Sequence, residues 1–73
     1  MRLAQCQNGQ IAQITHLDGD VNMKMRLVNL GFHTNSVVEL IMSRGNNLVV
    51  TVDGSRFALD KDIAELISVE RLA

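Results

Sequence analysis

Apolar residues recur along this chain with two different periods, and each change of period marks an element. From Gln10 to Leu17 the period is two, with Ala12 and Ile14 on one face and Ile11 on the other, the pattern of a half-buried strand. The alternation then slips. Strict period two puts the next inward side chain at His16, but the next apolar residue is Leu17. The slip predicts a bulge or bend at Thr15 and His16, a device with which barrels turn corners. Asn8-Gly9 before this strand and Asp18-Gly19-Asp20 after it read as turns.

Between Asp20 and Gly31 the pattern becomes helical. At 100° per residue, Met23, Leu27 and Leu30 form one apolar stripe, which is taken as the anchor on the core. Val21, Met25 and Val28 repeat the same i, i+4, i+7 spacing on nearly the opposite side. Asn22, Arg26 and Asn29 form a polar strip between the stripes, and Lys24 occupies the other seam. Asp18 or Asp20 is available as N-cap. Gly31 stands where a left-handed residue ends a helix, and Phe32 follows as the apolar contact that accompanies such an ending. A helix lying on a core needs one stripe. The second is covered either by the chain's own segments or by a partner.

Beyond Asn35, a residue that tolerates positive φ, period two returns. Val37 to Met42 reads as a strand with Val38, Leu40 and Met42 inward and Val37 and Ile41 outward. Arg44 to Asn47 is a hairpin loop. Leu48, Val50 and Val52 face inward on the next strand, and Asp53-Gly54 signals a second, tight hairpin. Ser55 to Leu59 is a strand with Phe57 and Leu59 on one face. Asp60 caps a helical turn or two over Lys61 to Leu66, and Ile67 and Val69 begin a last strand that pairs back toward the first. The expected fold is mainly β: about five short strands, one inserted amphipathic helix and a short C-terminal helix. Close hairpin spacing and a bent first strand favour a small, partly open barrel.

Seventy-three residues read as one domain, 1–73, near the size at which a single core suffices. Net charge is −1, with the charges scattered and neither Trp nor Tyr present. Such a surface lacks both the basic stripe and the stacking platforms of a nucleic-acid binder. The single cysteine, Cys6, has no internal partner, which suits a reducing cytoplasm. No apolar run spans a bilayer, and no leader follows Met1-Arg2. The expected location is cytoplasmic and not membrane-spanning.

Candidate chemistry is sparse. Cys6, His16, His33 and four Met residues tempt a metal assignment, but their spacings fit no ligand motif. The two histidines are expected to be exposed or edge polar residues, with no cofactor implied. Asp60-Lys61-Asp62 pairs two carboxylates, a pattern that N-capping and first-turn acids explain. No nucleophile, base and orienting group stand together, so catalysis is not expected.

One resemblance spans essentially the whole chain. Arg26-Leu27-x-x-Leu30-Gly31-Phe32 leads into the strand from Val37, and Gly54-x-Arg56-Phe57-Ala58-Leu59 leads into Ala64-x-x-Ile67-x-Val69. With the Asn8-Gly9 turn before Ala12 and Ile14, this order resembles the FeoA family of ferrous iron transport proteins. Asn8-Gly9 and Thr34-Asn35 stand where that family often has Pro-Gly. The resemblance implies an SH3-like barrel. It also implies a cytoplasmic accessory role in Fe(II) uptake beside the transporter FeoB, which carries a cytoplasmic GTPase domain. The same barrel resembles the C-terminal domain of iron- and manganese-dependent repressors, but no helix-turn-helix accompanies it here. With FeoB as the implied partner, Val21, Met25, Val28, Asn29 and the adjoining loop residue His33 are the candidate partner-binding residues. Alternatives are an Fe(II)-responsive sensing module, a regulator of the partner GTPase through Arg26, Arg44 or Arg56, and self-association through the same stripe.

Overall fold

The slip in the first strand is a bulge. In a computed structural model describing residues 1–72, β1 (Ile11–Leu17) leaves register with β5 (Ile67–Arg71) between Ile14 and His16. The extra residue carries Leu17 back to the inner face, so Ala12, Ile14 and Leu17 are all buried while Ile11 is exposed. With β2 (Val37–Arg44), β3 (Asn47–Val52) and β4 (Ser55–Asp60) these strands form one antiparallel sheet of order β4-β3-β2-β1-β5.

The β3–β4 hairpin turns where Asp-Gly predicted it. Val52 pairs with Ser55, and Asp53 and Gly54 both take positive φ, +50° and +82°, as the favoured two-residue turn requires. Asn35 also adopts positive φ, at 77°. Leu48, Val50 and Val52 point inward as their alternation demands. Met42 does not follow the expectation. The pairing of β2 with β3 shifts between Leu40 and Met42, a second bulge that turns Met42 out to 39% exposure.

The outer edge of β5 is covered by the N-terminus: Met1 and Val69 exchange backbone hydrogen bonds and Arg2 bridges to Ser68. A 3-10 turn over Leu3–Gln5 then drives Leu3 fully into the core. After β4, Asp60 Oδ1 accepts the Ile63 N–H at 2.9 Å and opens α2, Lys61–Ala64, shorter than the sequence pattern suggested.

Helix α1, Val21–Leu30, is inserted between β1 and β2. Of the two candidate caps, Asp20 takes the role, its Oδ1 accepting the Met23 N–H at 2.8 Å. At the other end Gly31 adopts φ +105°. The Phe32 N–H donates to the Leu27 carbonyl at 2.8 Å and the Gly31 N–H to Val28 at 2.9 Å, a complete Schellman ending. This ending carries Phe32 into the core with no exposure, its ring 5.4 Å from that of Phe57.

The helix runs beside β4. Gly19 at one end sits against Leu66, and Gly31 at the other approaches Val52 and Asp53 of the β3–β4 turn. Met23, Arg26, Leu27 and Leu30 border a cleft of about 230 Å³ with Ala58, Leu59, Asp60 and Ile63. The register of the hairpin leaves the backbone groups of Arg56 and Ala58 facing away from β3, and an adjacent helix with a charged edge residue protects such a strand from pairing with other chains. Leu27 alone of α1 is buried, and Met23 packs partly against the core. Leu30, expected as a second anchor, is 46% exposed at the cleft rim, because Phe32 fills the core beneath the end of the helix.

Candidate docking site on the inserted helix

The second apolar stripe is uncovered. Val21, Met25 and Val28 are 70%, 58% and 46% exposed. The described terminal residues lie elsewhere: Met1 and Arg2 are on β5, and the Leu72 N–H donates to the Ile11 carbonyl. Val21, Lys24, Met25, Val28 and Asn29 line a shallow groove of about 250 Å³. The spacing explains its shape. Val21, Met25 and Asn29 form one i, i+4, i+8 ridge, Lys24 and Val28 form the next, and the groove runs between them.

Four of the five candidate partner-binding residues therefore converge: Val21, Met25, Val28 and Asn29. His33 is not among them. Its Nδ1 lies 3.0 Å from the Oγ of buried Ser36, and that hydroxyl donates to the Gly31 carbonyl at 2.9 Å. His33 thus belongs to the turn that ends α1. Lys24, read in the sequence as guarding a seam, lines the groove instead, a position its i+3 relation to Val21 already encodes. Val37 is exposed and Ile41 and Val49 are half-buried, and none of the three lines the groove.

The other histidine sits in a charge cluster at the end of β1. His16 Nε2 lies 2.9 Å from Asp18 Oδ1, and Arg2 bonds both Asp18 Oδ2 and, at 2.8 Å, Ser68 Oγ. Asp18 is therefore not a cap but a tie between the N-terminus and the sheet. The hydrogen bond from Arg2, aided by its charge and by His16, outweighs partial desolvation and holds the Asp18 carboxyl below the ordinary carboxylate range. A carboxyl depressed in the fold contributes stability that is present above its unfolded pKa, near 4, and lost as pH falls through its folded value. The expected result is that Asp18→Asn lowers the urea midpoint at about pH 6 and that the gap to wild type closes in acid. A gap independent of pH contradicts it.

Among the described residues no three of His, Cys, Asp and Glu gather to hold a metal ion. Burial pushes the Cys6 thiol up, against the smaller opposing pull of the N-terminus and Arg71, which disfavours the reactive thiolate. A polar hollow of about 330 Å³ lies at the Gln7–Ile11 turn beside Arg71 and Leu72. No helix among the described residues is long and apolar enough to cross a membrane.

A five-stranded antiparallel sheet with a bulged first strand, a tight β3–β4 hairpin and one inserted helix defines an SH3-like domain. The FeoA domain family matches residues 1–71, and the chain belongs to that family, which is associated with ferrous iron transport. A crystallised iron uptake regulatory protein, FeoA, superposes with a TM-score of 0.93 at 23% identity, over 99% of this chain and 97% of the other. The Stenotrophomonas maltophilia FeoA, solved with zinc and described as a prokaryotic SH3 domain protein, gives 0.85 at 28% identity over 96% and 89%. A manganese-dependent transcriptional repressor contains the same fold, with a TM-score of 0.90 at 20% identity over 99% of this chain and 41% of its own. Comparison with curated proteins gives no match.

Proposed function

We propose that this protein is a non-enzymatic cytoplasmic accessory of ferrous iron uptake that acts by docking α1 on the cytoplasmic part of the transporter FeoB. The observation that carries this reading is the uncovered stripe of Val21, Met25 and Val28 on a helix whose opposite side is already anchored by Leu27. Contiguous apolar surface of this kind marks an interaction site, and Met25 supplies a side chain that adapts to a partner. Membership of a family of ferrous iron transport proteins supports the choice of partner.

In cells lacking the native copy, Met25→Asp or Val28→Asp is expected to abolish restoration of Fe(II) uptake, with the far-UV circular dichroism of the purified variant unchanged. Normal uptake by a folded variant sinks the docking site. An unfolded variant assigns these residues to the core and sinks it equally.

A further inference from the structure

Resting on that docking reading, we infer that the occupant of the α1 groove is an acidic amphipathic helix of the partner, whose apolar ridge seats between the two α1 ridges with a carboxylate beside Lys24. The groove itself selects a helix. A channel between two adjacent i, i+4 ridges is the shape into which a ridge of another helix packs, and helix-in-groove recognition works by apolar anchors at this spacing.

The charge selects the sign. Lys24 is the one charged residue lining the groove, because Arg26 lies on the cleft side toward β4. No Asp or Glu occurs between Val21 and Leu30, although the whole chain is net negative. Asp20, four residues before Lys24, is held at the cap by the Met23 N–H, and no acid follows Lys24 on the helix. The same charge disfavours a second copy as occupant, since the groove face of a second α1 carries no carboxylate to meet Lys24. Ten residues of helix give a contact about 15 Å long, the size of a weak, reversible interface.

The test uses the intact chain and the isolated cytoplasmic region of FeoB from the same organism. Lys24→Glu is expected to weaken binding about tenfold, mostly through slower association, and to flatten its dependence on salt. The same variant is expected to leave the melting temperature nearly unchanged, because position 24 lies on the groove-lining surface of the helix and outside the core; lost binding with lost stability overturns the proposal. A photo-crosslinking amino acid at position 21 is expected to mark a helical segment of FeoB with Asp or Glu within one turn. Adducts to a strand, a loop or a basic segment overturn it. Undiminished binding by Lys24→Glu refutes the acidic helix while leaving the docking reading standing, whereas no binding by wild type removes both. Sedimentation of the wild-type chain with phosphatidylglycerol vesicles, lost in Lys24→Glu, overturns it in favour of a lipid surface.

Discussion

Phe32→Ala is expected to leave the chain largely unfolded at 25 °C. Phe32 is fully buried and is one of two aromatic residues, its ring tilted 58° against that of Phe57. Removing a buried phenylalanine costs about 3–5 kcal/mol through lost transfer energy and the cavity left behind. A single core in a chain this short supplies about the same amount. The position also carries a local role, since the Phe32 backbone closes the Schellman ending on Leu27. Phe32→Leu, which keeps that backbone and most of the apolar volume, is expected to fold with reduced stability. Urea melts followed by far-UV circular dichroism measure both, and a Phe32→Ala midpoint near wild type contradicts the account.

The second large effect separates two leucines that look equivalent along the helix. Leu27→Ala is expected to cost about 2–5 kcal/mol, because Leu27 is 2% exposed and is the only buried residue of α1. Leu30→Ala, at a side chain 46% exposed, is expected to fall within about 0.5 kcal/mol of wild type. Loss of Leu27 also frees α1 from β4, so amide exchange should accelerate in Val21–Leu30 before it does in β2 and β3. Equal costs for the two substitutions contradict this arrangement of the helix on the sheet.

The contrast shows where the sequence stops being legible. The i, i+4, i+7 spacing from Met23 places Leu27 and Leu30 on one stripe, but it carries no information about where the helix overhangs its support. Phe32, two residues past the end, takes the core position that Leu30 was expected to share. The bulge in β1 is legible because it displaces an apolar residue from His16 to Leu17. The bulge in β2 is silent, since Val38, Leu40, Ile41 and Met42 are apolar in either phase and only pairing with β3 fixes it.

The candidate site follows the same division. Local spacing alone gathers Val21, Met25 and Val28 into a stripe and places Asn29 at its end, so four of the five expected residues meet in one groove. His33 lies in the adjoining turn and outside the groove, where its contact with the Ser36 hydroxyl is set by a turn that spacing does not specify. The choice between Asp18 and Asp20 as cap was likewise settled from a distance, by Arg2 at the start of the chain. Whether the second stripe is covered depends on where both termini run. Met1 and Arg2 run along β5, and Leu72 bonds to Ile11 of β1, away from it.

Titration of the isolated cytoplasmic region of FeoB with this chain and with Met25→Asp tests the docking claim most directly. Met25 is 58% exposed and supports no core contact, so the variant should melt with wild type. The predicted result is saturable binding by wild type and at least a thirtyfold weaker affinity for the variant, about 2 kcal/mol. Equal affinities from two equally folded proteins contradict it.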